Sequence, residues 1–325
     1  MEYRQLGTSG ITVSVLGFGT WGLGGESYGP VDDGVSERAL RTARELGINF
    51  YDTADLYGGG HSEEVLGRTF ARVRDQVVIA TKGGTLPHTG FHMPQRFSSS
   101  HLVGALEGSL RRLGTDYVDL YQLHSPPLEA LDDDPGVVET LEQLRQQGKI
   151  RCFGISVRSP DDALIAVKRW GFPVVQVNFN MIDQRALDNG LFDRVPVNGA
   201  GVIARTPLAF GYLSGALTGA ETFSEGDHRR NWPEDQRRRW AEAPATFAAL
   251  NSGTTRTMAQ LALQYCLGQA AVTTTIPGML TPEEVAEDVA VTEMPRLTEA
   301  EHRQIRTIYL NNAFFDRTAK ARGRQ

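Results

Sequence analysis

Cysteine is scarce in this chain, with Cys152 and Cys266 the only two in 325 residues. They stand far apart, in apolar surroundings and in no metal-ligand spacing. Both read as small core residues, in keeping with a reducing compartment. Long apolar runs are missing too: none approaches the ~18 residues a membrane span needs. The first residues, Met1–Glu2–Tyr3–Arg4–Gln5, carry neither a basic n-region nor an apolar h-region, so a cytoplasmic chain with no membrane partner is expected. There is no excess of positive charge either. The formal net charge is −6, which argues against nucleic acid as a partner. What is present is 40% hydrophobic and 22% charged residues, enough for one large α/β barrel or two smaller domains.

The chain reads as a strand–helix rhythm. Tyr3–Leu6 and Ile11–Val15 flank Gly7–Thr8–Ser9–Gly10 and predict a β-hairpin that plugs one end of a barrel. Strands are then expected at 16–19, 48–52, 77–82, 118–124, 150–156, 174–178, 201–205 and 271–276. The intervening helices are expected near 35–46, from Ser62 as N-cap, then at 100–113, 137–147, 159–170, 187–192, 258–267 and 282–291, with a last helix at 299–309. Eight β-then-α units with short connections and no linker predict one (β/α)8 barrel over residues 1–325. Chemistry in that fold lies at the C-terminal ends of the strands. Residues 209–253 are too long for an ordinary connection after the seventh strand. They carry Phe210, Tyr212, Phe223, His228, Trp232 and Trp240, and read as a lid or substrate loop over the mouth. The plainer alternative is a surface excursion packed on its own aromatics.

Three successive strands end in reactive side chains: Asp52 with Tyr57 five residues on, Lys82, and His124. A free tyrosine, with a pKa of about 10, is a poor proton donor and acceptor at neutral pH. An ammonium close by favours the phenolate. Lys82 supplies such a charge, Asp52 holds it, and an imidazole orients a carbonyl oxygen beside the phenol. The set fits reversible carbonyl reduction with Tyr57 as proton donor. No metal-ligand spacing accompanies it, so the hydride source is expected to be an organic cofactor. Each residue also has a plainer role: a loop cap, a loop aromatic, a solvated strand end, a core histidine before Ser125–Pro126–Pro127. Those roles do not explain why all four fall at neighbouring strand ends.

Four stretches carry a family resemblance: Gly17–Phe18–Gly19–Thr20–Trp21, Asp52–Thr53–Ala54–Asp55–Leu56–Tyr57–Gly58, Leu113–Gly114–Thr115–Asp116–Tyr117–Val118–Asp119–Leu120 and Gly148–Lys149–Ile150–Arg151. Nearly the whole chain resembles the aldo-keto reductases of bacterial type, near the group that includes potassium-channel β-subunit-like members. The resemblance implies a catalytic set of Asp52, Tyr57, Lys82 and His124, and NADPH or NADH bound without a Rossmann glycine loop. No G-x-G-x-x-G follows the first strand here. It implies cofactor contacts from Gly19, Thr20, Trp21, Asp52, Ser156, Gln176, Arg205, Thr206, Pro207, Leu208, Gly211, Ser214, Ile276, Gly278, Met279, Glu284, Glu287 and Asp288.

The chain departs from the family pattern at several of these positions. Val157 follows Ser156 where Asn or Arg is usual, so one carboxamide contact is lost or moves to Arg158. Arg205 stands where many members stack an aromatic ring on the nicotinamide. Ala216 replaces a common lysine. Glu284 and Asp288 stand where members often have Arg or Gln, and Asn. A carboxylate repels a 2′-phosphate and accepts bonds from a free ribose diol, so the preference for NADPH is expected to be weakened and NADH to be open as an alternative.

Arg229–Arg230 and Arg237–Arg238–Arg239 lie in the lid segment, interrupted by Glu234 and Asp235. They read as a solvated helix, with a subsite for an anionic substrate such as a phosphorylated keto-sugar as the second choice. Asp132–Asp133–Asp134 reads as a solvated loop. The reaction expected is reduction of a small aldehyde or ketone. Two rivals stand beside it: a barrel aldolase with Lys82 as Schiff-base nucleophile, and a cofactor-binding regulatory protein with little turnover. Monomer or homo-oligomer is left open.

Overall fold

The computed structural model describes residues 1–88 and 93–315; residues 89–92 and 316–325 of the expected 1–325 unit lie outside the described residues. β1 (Tyr3–Gln5) and β2 (Thr12–Ser14) form the expected antiparallel hairpin, with Tyr3 opposite Ser14 and Gln5 opposite Thr12. Eight parallel strands follow in sequential order: β3 (Phe18–Gly19), β4 (Phe50–Asp52), β5 (Val78–Gly83), β6 (Val118–His124), β7 (Ile150–Ser156), β8 (Val174–Asn178), β9 (Gly201–Arg205) and β10 (Val272–Ile276). The first and last of these are joined by backbone bonds from Gly17 to Thr275 (2.8 Å), from Thr275 to Val15 (2.9 Å) and from Gly19 to Pro277 (2.8 Å). The sheet is therefore a closed (β/α)8 barrel.

The hairpin seats on the barrel's N-terminal end. Thr8 donates to Gly199 O (2.8 Å) and Arg4 Nη1 to Val272 O (2.6 Å). Leu6, Ile11 and Val13 join Phe50, Val78, Ala80, Leu120, Cys152, Val174, Ile203 and Ile276 in one inner apolar cluster. Alternation along each strand turns one set of side chains into this cluster and the other set onto the helices. The apolar filling and the plug occupy the lower part of the barrel, so the polar inward residues gather at the C-terminal mouth.

The outer layer comprises α1 (Asp33–Glu45), α2 (His61–Phe70), α3 (Ser99–Leu113), α4 (Glu129–Asp133), α5 (Gly136–Gln146), α6 (Pro160–Trp170), α7 (Arg185–Asp188), α8 (Leu191–Arg194), α9 (Glu234–Phe247), α10 (Met258–Leu267), α11 (Pro282–Val289) and α12 (Glu299–Asn311). Their starts follow local chemistry. Asp32 accepts from the Val35 N–H, Ser159 caps α6 with Pro160 at its first position, and Thr257 and Thr298 close capping boxes with Gln260 and Glu301.

Four expectations are corrected. Ser62 does not cap α2. The helix begins at His61 after Gly60, whose φ of 101° suits glycine, and Ser62 lies inside the first turn with its hydroxyl in contact with Thr20 and Thr53. The helix expected at 187–192 is two, α7 and α8, parted at Gly190 (φ 72°). Asp132 and Asp133 fall in α4 rather than in a loop, and Asp132 pairs with Arg169. The 209–253 segment is largely helical, with turns at Ala209–Ser214, His228–Asn231 and Ala248–Asn251 around α9. Among the described residues, no helix is long and apolar enough to cross a membrane.

Candidate active site

The ends of β4, β5, β6, β7 and β8 place their inward polar side chains around one carboxylate. Asp52, last residue of β4, accepts from Lys82 Nζ at 2.5 Å through Oδ1. Its Oδ2 accepts from Gln176 Nε2 at 2.7 Å and from Gln122 Nε2 at 3.1 Å. Ser156 donates to Gln176 Oε1 (3.0 Å), and the acceptor-only Asp52 carboxylate fixes which way that amide faces. Lys82 is fully buried. Its ammonium also donates to Thr53 O (2.8 Å) and contacts the Tyr57 hydroxyl (3.1 Å). Burial alone lowers the pKa of that ammonium, but the fields of Asp52 and Tyr57 outweigh burial and hold it above its ordinary value. Lys82 is therefore a fixed cation bridging a carboxylate and a half-buried phenol.

Local packing sets the position of the phenol. Tyr57 begins a tight turn in which Gly58 and Gly59 both have φ 62°. A Cβ on Gly58 would stand 2.3 Å from Gly24 O, and one on Gly24 would stand 2.6 Å from Gly58 N. The Tyr57 loop thus lies directly on the Trp21–Gly24 turn, at a separation only two glycines allow. Below it, Ser62 Oγ donates to Thr20 Oγ1 (2.7 Å), and Thr20 Oγ1 donates to Asp52 O (3.0 Å). These hydroxyls tie the Gly19–Thr20–Trp21 stretch to the strand that carries Asp52.

The His124 ring stands edge-on to the Tyr57 ring, centroids 6.0 Å apart. Burial, with the charges of Lys82, Arg205, Arg158 and His88, holds its pKa well below the usual value, so the imidazole is neutral at pH 7. Among the described residues its Nδ1 is buried without a hydrogen-bond partner, as are Gln122 Oε1 and Arg205 Nε. Unsatisfied buried polar atoms are rare in folded proteins. Three at one mouth mark a place where a bound molecule would complete the bonding.

The remaining expected residues divide by location. Arg205 ends β9 and donates from Nη2 to Val157 O (3.1 Å). Thr206, Ala209 and Phe210 have φ of 55°, 46° and 61°, and Gly211 has φ 90°. Three of the four non-glycine residues with positive φ among the described ones thus fall in this single loop, with Pro207, Leu208 and Ser214. Backbone held there costs energy and concentrates at ligand clamps, where successive N–H groups can cradle an anion. Gly278 bridges to Gly19 at the other rim, next to Ile276. Met279 is fully buried in the outer core. Glu284 is exposed and accepts from the Leu280 N–H at 2.6 Å, while Glu287 accepts from Thr257 Oγ1 at 2.9 Å. Asp288 is buried. Burial, with Glu287 and Glu284 beside it, pushes its pKa up to about 8. These three carboxylates share α11.

The 209–253 segment reaches across the mouth. His228 N donates to Ser27 O (2.9 Å), and Tyr28 bridges to Asp227. Trp21 meets His228 (4.4 Å), Tyr28 (5.5 Å), Phe210 (6.2 Å) and Tyr57 (6.4 Å), centroid to centroid, so an aromatic wall stands beside the phenol. Arg229 is bound in a fork to Asp227 and lies over the Tyr28 and Phe223 rings. It clamps the lid, and this leaves its charge already matched. Arg238 pairs with Asp235 on the solvated face of α9. Two contributors escaped the sequence reading. Gln122 lies two residues before His124 on the same inward face of β6, which strand alternation could have revealed. Tyr28 had no signal of its own.

The family model for the aldo/keto reductase family matches residues 15–310. The chain is 34% identical to the aldo-keto reductase YhdN of Bacillus subtilis (strain 168), over 74% of this chain and 72% of that protein. It is 32% identical to the L-glyceraldehyde 3-phosphate reductase of Escherichia coli O157:H7, over 89% of this chain and 87% of that protein. An aldo-keto reductase from Bacillus halodurans, solved in its holo form, superposes with a TM-score of 0.76 at 33% identity, covering 95% of this chain and 96% of that one.

Proposed function

The chain belongs to the aldo/keto reductase family, and from that premise we propose that it reduces a small aldehyde or ketone to the alcohol, with Tyr57 as proton donor. The observation that carries this reading is the Lys82 ammonium shared between Asp52 and the Tyr57 hydroxyl, beside a neutral imidazole. A carbonyl oxygen between Tyr57 and His124 gains negative charge as the reaction proceeds. Neutral His124 orients that oxygen but has no spare proton to lose, so the proton comes from the phenol. The Lys82 charge stabilises the phenolate that results, and Asp52 keeps the ammonium pointed at it. Reduced nicotinamide, when bound, is the source of the hydride.

The residues present fit that cofactor. Ser156 and Gln176 would hold the carboxamide, and the positive-φ loop 206–214 would receive the pyrophosphate. Trp21 and Arg205 would flank the ring, and Gly278 with α11 would meet the adenosine end. At that end Glu284 and Glu287 are exposed carboxylates, unfavourable to a 2′-phosphate and suited to a ribose diol. NADH is therefore the cofactor of choice in this proposal. Comparing NADH with NADPH at equal concentration tests it, and a large NADPH advantage in the wild-type protein overturns it.

The test of Tyr57 is substitution by Phe. Positioned general acids contribute about 10²–10⁴ in rate. Turnover of Tyr57→Phe should fall by about that factor while cofactor titration stays close to wild type. A variant that still turns over near the wild-type rate refutes the assignment. Wild-type protein that binds the cofactor tightly yet reduces no aldehyde would move the reading to a regulatory protein.

A further inference from the structure

We propose that Arg158 forms an anion subsite at the barrel mouth, and that the carbonyl substrate carries a carboxylate or phosphate group. This rests on the carbonyl-reductase reading and adds the class of substrate.

The chain turns Arg158 toward the mouth. Ser156 faces the axis, where it bonds Gln176, and Val157 is buried in the layer between strands and helices. β7 ends at Ser156, opposite His124 on β6, and Arg158 follows two residues on, in the bend at the barrel's C-terminal end. There it is solvent-accessible. Its charge reaches both His124 and Arg205, so it stands close to the group that orients the carbonyl. Among the described residues Arg158 meets no carboxylate. Its guanidinium lies against the Met93 thioether, a weak acceptor that a ligand oxygen readily replaces.

The local charge balance points the same way. Arg205 also lacks a carboxylate partner among the described residues, and its Nε is buried and unpartnered. The carboxylate at the centre of the site, Asp52, is taken by Lys82. Two guanidinium groups without a carboxylate among the described residues therefore act on His124, in a chain whose net charge is −6. A positive concave mouth in an acidic protein concentrates anions. The cofactor does not supply the missing charge at this point, because its nicotinamide end carries none. A planar guanidinium matches a carboxylate or phosphate in two parallel hydrogen bonds. The lid arginines are a poorer choice, since Arg229 is already held by Asp227.

The test is a comparison of matched substrates: succinic semialdehyde against butanal, and glyceraldehyde 3-phosphate against glyceraldehyde. Specificity constants are measured for wild type, Arg158→Gln and Arg158→Lys, and cofactor affinity is titrated in parallel. Wild type should prefer the anionic member of at least one pair by about tenfold or more, and added salt should narrow the preference. The pair with the larger preference tells carboxylate from phosphate. Arg158→Gln should bring the ratio near one through KM, Arg158→Lys should keep part of it, and cofactor affinity should stay within about twofold in both. No preference in wild type overturns the subsite and leaves the reductase reading standing. An equal loss on charged and neutral substrates, with weakened cofactor binding, assigns Arg158 to the carboxamide instead and also overturns it. Failure to reduce any of the four aldehydes overturns the reductase reading and the subsite together.

Discussion

Replacing Asp52 by Asn tests whether a buried charge holds the site together. The change keeps shape and removes one negative charge. Lys82 has no exposure to solvent, and among the described residues the Asp52 carboxylate is its only ionic partner. Breaking one side of a buried ion pair costs about 3–5 kcal/mol, because the remaining charge stays desolvated. The amide adds a hydrogen-bond conflict. Its oxygen can still face Lys82, but its NH2 then meets the NH2 groups of Gln122 and Gln176. Gln122 can turn over, since its Oε1 has no partner among the described residues; Gln176 can do so only if the Ser156 hydroxyl rotates from donor to acceptor.

Unfolding entropy of about 2.1 cal/mol/K per residue, over 325 residues, amounts to about 0.7 kcal/mol/K. The expected loss is therefore about 4–7 °C in Tm. Turnover should drop by at least about 10², because an ammonium stripped of its carboxylate loses its proton more readily and no longer stabilises the phenolate. Calorimetry and steady-state kinetics read the two effects. The double variant Asp52→Asn with Lys82→Met removes both charges, and should melt above the single variant while remaining inactive. A single variant melting within about 1 °C of wild type, or a double variant no more stable than the single, refutes the uncompensated-charge account.

Three further outcomes are expected. Asp288 holds its proton up to about pH 8 in the folded chain, against about 3.9 when unfolded. The stability this group contributes is complete below about pH 4 and is lost as pH rises through 8. Asp288→Asn should match wild type in Tm at pH 4 and exceed it by a growing margin toward pH 8; parallel melting curves would contradict this. Gly58→Ala and Gly59→Ala share a φ of 62°, but only the first places a methyl against Gly24 O, while the second points into open space. Gly59→Ala should cost the left-handed penalty of about 1–2 kcal/mol, and Gly58→Ala more, with kcat falling because Tyr57 moves; equal costs would sink the close-approach argument. Asp227→Ala frees the Arg229 side chain and N–H, leaving the backbone bridge to Tyr28 to hold the lid crossing. Hydrogen exchange at residues 224–232 should speed up and substrate KM should rise, with little change in Tm; unchanged exchange would show that the clamp does not hold the lid.

Much of the barrel was legible because its signals are local. The strands at Val118–His124, Ile150–Ser156, Val174–Asn178 and Gly201–Arg205 fall where apolar runs meet turn residues, and α6 starts at Ser159–Pro160. Ser62 misled because Ser followed by Glu63 and Glu64 has the composition of a cap. Three positive-φ glycines before it had already set the N-cap two residues earlier, at Gly60. A solvated helix was legible in the lid, but its buried face was hidden for another reason. Trp240, Phe247 and Gln236 of α9 are buried partly against Phe314 and Phe315 near the chain end, so the apolar face of α9 makes sense only with that distant segment in place.

Residue types and spacings alone determined that this chain makes eight strand–helix units with Asp52, Tyr57, Lys82 and His124 at neighbouring strand ends, because periodicity and turn chemistry act over a few residues. Tertiary structure alone decided that Gln122 and Gln176, 70 and 124 residues away, converge on the Asp52 carboxylate, that Lys82 is sealed from water, and that Arg158 is left without a carboxylate among the described residues. Those facts depend on closing a twisted sheet into a barrel. Closure brings inward side chains from separate strands within hydrogen-bond reach, and no local pattern encodes which of them will meet.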